Sequence, residues 1–188
     1  MDMSMYIRPR RPGATIFFTV NLATPGDDLL VREIDRIRLA FRETFKDRPC
    51  RQDAIVVLPD HLHAVWTLPA GDSDYSGRWG KIKSLFVRGL PERNLRPSHR
   101  RRGEKGIWQR RFWEHHVRSR AELRALLEYC WFNPVKHGLA ERAVDWPFSS
   151  IHRDIRRGME PPEQKRFEVD GDFGEFSSRR VRYTAPYE

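Results

Sequence analysis

Along this chain, segments with the two-residue repeat of a strand alternate with segments carrying the repeat of a helix. That order leaves few folds open. From Thr15 to Leu22, Ile16, Phe18, Val20 and Leu22 share one face while Thr15, Thr19 and Asn21 share the other, which predicts a half-buried strand. Thr24-Pro25 then opens a predicted helix, with Thr24 as cap, Pro25 in the first turn and Asp27 and Asp28 at the positive end. Leu30, Ile34, Ile37, Phe41 and Phe45 recur at helical spacing behind it. Ala54 to Leu58, the turn Pro59-Asp60 and Leu62 to Leu68 read as a hairpin. Trp79, Ile82, Leu85 and Phe86 mark a second helix, and a strand is expected from Phe112 to Val117. Ser119-Arg120-Ala121-Glu122 has the capping-box pattern that starts a third helix. The order predicts an α+β fold, a ferredoxin-like sandwich whose mainly antiparallel sheet is flanked by helices. A basic arm over 1–13 and a polar tail over 154–188 flank the expected domain at 14–153.

Charge narrows the partner. The chain holds 35 Lys and Arg against 26 Asp and Glu, a net charge of +9, so a polyanion is expected. The candidate contacts are Arg8, Arg10 and Arg11 in the arm, and Lys81, Lys83 and Arg88 on the second helix. Arg100, Arg101, Arg102, Arg110 and Arg111 follow in the long polar connection from Pro91, which also carries Arg93, Arg96 and Lys105. Trp108 lies among them, and cations interleaved with aromatic faces suit a single strand, although the same aromatics also suit a core. No apolar run nears the roughly 18 residues that span a bilayer. Only Cys50 and Cys130 are present, without a CxxC pair, which fits a cytoplasmic setting and argues against thiolate zinc.

Two features carry chemistry. His61 and His63 lie at i and i+2 of the hairpin strand, so their imidazoles share a face, opposite Leu62, Ala64 and Trp66, and can grip one metal ion. Two surface or hydrogen-bonded histidines are the plainer alternative. A second H-x-[ST] element, as a two-histidine phosphoesterase needs, is absent, and so is a helical H-E-x-x-H. His115 and His116 are adjacent and point to opposite faces. On the third helix, Leu123, Leu126, Leu127, Cys130 and Trp131 form the expected buried stripe, which leaves Tyr129 more than a right angle away and suited to act as a nucleophile. Asn133 shares its side of the helix if the helix continues, but Pro134 makes a helix end an equal reading. A metal and a tyrosine in a basic chain imply nucleic-acid cleavage through a phosphotyrosine.

Together these segments resemble the REP-associated tyrosine transposases, a branch of the single-tyrosine HUH transposases with an IS200-like domain. The resemblance is carried by Gly13-Ala14-Thr15-Ile16-Phe17-Phe18-Thr19, Leu58-Pro59-Asp60-His61-Leu62-His63 and Trp108-Gln109-Arg110-Arg111-Phe112-Trp113-Glu114-His115. Tyr129-Cys130-Trp131-Phe132-Asn133-Pro134-Val135-Lys136-His137-Gly138-Leu139 and Asp145-Trp146-Pro147-Phe148-Ser149-Ser150 complete it. It spans about residues 6 to 153 in order and spacing, and nothing in it accounts for the tail. It implies that His61, His63 and Asn133 hold Mg²⁺ or Mn²⁺ and that Tyr129 is the nucleophile. The implied substrate is single-stranded DNA folded into hairpins from repetitive extragenic palindromes, cut and rejoined through a 5′-phosphotyrosine, and the implied state is a monomer. The competing expectation is a domesticated hairpin-binding protein for DNA or RNA that does not cut.

Overall fold

The computed structural model describes residues 9–93, 95, 100–162 and 173–175. Its sheet has four strands, β1 (Thr15–Asn21), β2 (Arg51–Val57), β3 (His61–Thr67) and β4 (Trp113–His116), in the order β2-β3-β1-β4. All three pairings are antiparallel, with Thr19 opposite His63 and Asn21 opposite His61 across β1 and β3, and Thr19 opposite Trp113 across β1 and β4. This is the expected ferredoxin-like arrangement. The hairpin turns at Leu58-Pro59-Asp60, as the sequence predicts.

Helices α1 (Leu29–Arg32), α2 (Ile34–Asp47) and α3 (Tyr75–Val87) cover one sheet face. There Ile16, Phe18, Leu62, Ala64 and Trp66 meet Ile37, Phe41, Trp79 and Ile82, and Trp66 stacks on Trp79 with ring centroids 4.3 Å apart. Helix α4 (Arg120–Lys136) covers the other face, where Phe17, Ala54, Val56 and Val65 meet Leu126, Tyr129, Cys130 and Trp146. Ser119 Oγ accepts from the Glu122 amide and so caps α4. A 3₁₀ turn, Ala143–Asp145, leads through Trp146–Ser150 to α5 (Ile151–Arg156).

Two expectations about this layering need correction. Strand β1 is buried on both faces, because α4 lies over the side expected to meet solvent; Phe17, Thr19 and Asn21 are covered along with Ile16 and Phe18. The first helix starts at Leu29 and not at Thr24-Pro25. Gly26 takes φ +78°, its amide donates to Asp60 Oδ2 at 2.6 Å, and the Leu29 amide donates to Asp27. A left-handed residue tied to the hairpin turn cannot continue a helix, so the capping signal at Thr24 is spent on a turn. No helix among the described residues is long and apolar enough to cross a membrane.

Where the connection after α2 meets the one before α3, Arg78 is 1% exposed and donates to the Arg48, Pro49 and Asp74 carbonyls and to Asp72, the last at 2.6 Å. Its hydrogen bond holds the Asp72 carboxyl below the usual carboxylate range. Arg78→Leu leaves these acceptors without their donor and should lower stability by about 3 kcal/mol in urea unfolding. Asp72's share of the pair is complete above its ordinary value of 3.8 and is lost as pH falls through its lower folded value. The acid limb of the stability profile should therefore flatten in the variant.

Candidate active site

Strand alternation places Thr19 and Asn21 of β1, His61 and His63 of β3, and Trp113 and His115 of β4 on the α4 side of the sheet. Helix α4 runs unbroken through Pro134 to Lys136, so Tyr129, Asn133 and Lys136 reach the same place at helical spacing. Asn133 is thus a helical residue facing the histidines, and the helix-end reading is set aside. The His61 and His63 rings are 5.1 Å apart, and Tyr129's ring is 5.3 Å from His63. The pair and the tyrosine that the sequence singled out converge on one spot.

Each histidine is oriented from behind. Asp60 Oδ1 bonds His61 Nδ1 at 2.7 Å while its other oxygen holds the Gly26 amide. Burial alone would raise the Asp60 carboxyl, but these bonds outweigh it and lower it. Thr19 Oγ1 bonds His63 Nδ1 at 2.9 Å. Both Nε2 atoms are thereby left for the site. His63 is fully buried, and desolvation lowers its pKa to about 4, so it is a neutral imidazole, the form that binds metal. His61 Nε2 and Asn133 Oδ1 are buried with no hydrogen-bond partner among the described residues. Two orphaned lone pairs beside a neutral imidazole fit a divalent cation.

Tyr129 corrects an expectation. Periodicity placed it off the buried stripe, yet it is 2% exposed and packs edge-on against Phe17, while Leu123 and Leu127 of the expected stripe are only partly covered. A helix lying flat on a sheet is buried over a wide arc, and the arc here continues through Phe132, Asn133 and Pro134. Only the hydroxyl is left polar. It accepts a hydrogen bond from Lys136 Nζ at 2.9 Å and donates one to the Glu175 carboxylate.

Glu175 is the site residue that sequence reasoning missed. Its carboxylate lies 2.9 Å from His63 Nε2, 2.7 Å from Lys136 Nζ and 3.3 Å from His137 Nε2, and it accepts from Asn133 Nδ2 at 3.0 Å. Burial would raise its pKa, but hydrogen bonds from His137 and Lys136 win, and it is held far below the usual range as a carboxylate. Burial, and then the Glu175 charge, push the Tyr129 pKa well above the ordinary tyrosine value. One oxygen or nitrogen each from His61, His63 and Glu175 lie within 4.8 Å of one another, a group that could hold a metal ion. No local pattern around residue 175 marks this, because its partners lie more than 35 positions away. Lys136 and His137, by contrast, sit inside a segment the sequence had already marked.

The basic residues are dispersed. Arg10, Arg11, Arg88, Arg100, Arg101, Arg102 and Arg111 are exposed, while Arg8 and Arg96 lie outside the described residues. Lys81 pairs with Asp47, and Arg110 with Glu104. Lys83, Arg110 and Trp108 line one cavity of about 270 Å³ between α3 and the loop before β4. Lys83 Nζ bonds the Gln109 carbonyl at 2.7 Å and sits over the half-buried Trp108 ring. That loop joins the sheet at the histidine end, where Gln109 N donates to the Asn21 carbonyl. Lys81 and Lys83 are on α3, across the sheet from Tyr129, whereas Arg88, expected on the same helix, turns extended just past its end. His115 bonds Glu122 at 2.7 Å, and His116 faces the opposite side near Tyr75.

No protein-family model matches the chain. It is 42% identical over 176 residues to the REP-associated tyrosine transposase of Escherichia coli K12, covering 94% of this chain and 96% of that protein. A Haemophilus influenzae protein described in the same family terms is 39% identical over 163 residues, 86% of this chain and 93% of its own. A solved structure, of a REP-associated tyrosine transposase bound to a REP hairpin, superposes with a TM-score of 0.76 at 40% identity over 97% of this chain and all of that one. With matches of about 40% identity that cover nearly the whole chain, the chain belongs to the REP-associated tyrosine transposases.

Proposed function

We propose that this enzyme cuts and rejoins single-stranded DNA at hairpins of the repetitive extragenic palindrome type, through a 5′-phosphotyrosine on Tyr129. The observation that carries the reading is the convergence of the Tyr129 hydroxyl with a neutral His63 and with His61 Nε2 and Asn133 Oδ1, neither of which has a hydrogen-bond partner among the described residues. The hairpin comes from the relative whose solved structure holds one. His61, His63 and Asn133 would hold Mn²⁺ or Mg²⁺, with Mn²⁺ better matched to two imidazoles. Bound there, the ion would supply Lewis-acid polarisation of the scissile phosphate.

Tyr129's oxygen attacks phosphorus as its proton leaves to solvent. The bond from phosphorus to the 3′ oxygen breaks, and that oxygen takes up a proton as a free 3′-OH. Lys136, already bonded to the tyrosine oxygen, offsets the negative charge that grows there. The ester conserves the bond energy, so a 3′-OH can reverse the step and join strands. Arg10, Arg11, Arg100, Arg101, Arg102, Arg110, Arg111 and Trp108, with Arg8 and the basic face of α3, are the proposed DNA contacts. Residues 14–153 are proposed as the catalytic domain, acting as a monomer in the cytoplasm. The segment Phe173–Glu175 of the tail reaches its centre. With Glu175 seated, the tyrosine donates to a carboxylate and Lys136 is shared, so the cutting state requires Glu175 to withdraw.

Tyr129→Phe removes the nucleophilic oxygen alone. Incubation with labelled hairpin strands and Mn²⁺ should give no denaturant-resistant adduct, with hairpin affinity within about twofold of the wild type, since less than roughly 0.4 kcal/mol is at stake. An adduct on this variant would end the phosphotyrosine reading.

Replacing His61 and His63 together by Ala should abolish Mn²⁺ binding in calorimetric titration as well as cleavage. Binding that survives would move the ion away from β3.

Glu175→Ala should raise the initial rate of adduct formation, because the tyrosine hydroxyl and Lys136 lose their competitor. A fall in rate accompanied by weaker Mn²⁺ binding would make Glu175 a metal ligand of the cutting state.

A further inference from the structure

Beside the phosphodiester chemistry lies an aromatic slot that the mechanism does not use. Its walls are Phe17 of β1, Trp113 of β4 and Tyr129 of α4, whose rings stand 5.6, 5.8 and 4.6 Å from the ring of Phe173 that fills it. Two polar side chains of β1 form its rim. Thr19 Oγ1 donates to the Phe173 carbonyl at 2.5 Å, and Asn21 Nδ2 donates to the Gly174 carbonyl at 2.9 Å. Asn21 is 5% exposed, and its Oδ1 is buried with no partner among the described residues. Gly174 has φ +69°, and a Cβ there would fall 2.6 Å from Trp113 Cβ, so only glycine passes this point.

Phe173 thus lays a flat π-system against the Tyr129 ring while Glu175 lays an anionic oxygen on the Tyr129 hydroxyl, among His63, Asn133 and Lys136. A flat ring next to an anionic oxygen group is the chemistry of a nucleotide. Phenylalanine has no polar edge, so it leaves the buried acceptor of Asn21 unanswered. A base edge offers donors as well as acceptors to an amide.

We propose that this slot is a nucleobase subsite. It takes the base next to the scissile phosphate of the single-stranded substrate, with Trp113 packing edge-on against it as it does against Phe173, and Asn21 meeting its polar edge. The inference rests on the transposase reading and adds how the cleavage position is seated against Tyr129. In the structure, Phe173 holds the place of that base and Glu175 the place of the phosphate.

The test uses the full chain carrying Gly174→Val, which cannot seat the Phe173 segment, together with Tyr129→Phe so that binding is measured without cleavage. The probe is a single-stranded REP hairpin oligonucleotide, intact or with one abasic site at either nucleotide flanking the cleavage point. An abasic site at one flank should weaken binding about tenfold or more, the range expected for a lost base–aromatic stack. Trp113→Leu should weaken intact DNA by a similar factor and add no further loss on the abasic strand, whereas Trp113→Phe should recover most of the affinity. Should Trp113→Leu not fold, the abasic comparison with Trp113 in place decides alone. Unchanged affinity at both flanks, or losses that multiply when Trp113→Leu meets the abasic strand, overturns the subsite. Adduct formation with Tyr129 restored separates the two readings: an adduct with indifferent abasic binding removes the slot alone, whereas no adduct removes the transposase chemistry beneath it.

Discussion

The antiparallel register of β1 against β3 fixes both imidazoles and the polar side chains opposite them, the frame on which the rest of the site is assembled. Thr19 lies opposite His63 and Asn21 opposite His61, so one pairing of two strands aims both imidazoles at α4 and brings the hydroxyl that orients one of them. A slip of one residue would turn His61 and His63 into the layer of Trp66 and Trp79 and bring Leu62 to the metal position. The register is held by large apolar groups on the far face, Ile16, Phe18, Leu62, Ala64 and Trp66, all fully buried. The core under α2 and α3 thus sets the geometry of chemistry on the other side of the sheet.

That arrangement explains how a strongly basic chain keeps a buried polar centre. Polar groups taken out of water must be paired, and almost every one here is. Asp60 and Thr19 satisfy the inner nitrogens of the histidines, while Lys136 and Glu175 meet the tyrosine oxygen. Among the described residues the exceptions include His61 Nε2 and Asn133 Oδ1, which a cation would answer, and Asn21 Oδ1 at the aromatic slot. Glu175 brings the negative charge that His63, Lys136 and His137 otherwise lack. Its withdrawal would leave an electropositive cradle for a phosphate.

Much of the fold and part of the centre were legible in the chain. The strand and helix periods gave the order of elements and therefore the sheet, because each period reports a face that must be buried. The i, i+2 histidines were readable because strand geometry fixes such a pair locally, whereas Pro134 left the i, i+4 Tyr129 and Asn133 undecided until the helix was seen to run through it. Where the reading failed, a contact from elsewhere outweighed the local signal. Thr24-Pro25 carries a helix start, but Gly26 is bound to Asp60 and delays the helix to Leu29. Tyr129 lies off the apolar stripe by periodicity, but Phe17 and Phe173 enclose it.

By itself the sequence determined what is local or statistical: the strand and helix order, the side on which each histidine points, and the basic composition. The tertiary structure alone decided that the histidine strand and the tyrosine helix face each other, that Asp60 and Thr19 lock the imidazoles, and that Phe173 and Glu175 enter the site from a distant part of the chain. The physical reason is range. Periodicity records the surface a residue's own element must bury, whereas the partners that shift a pKa, orphan a lone pair or fill an aromatic slot are set by packing between segments far apart in the chain.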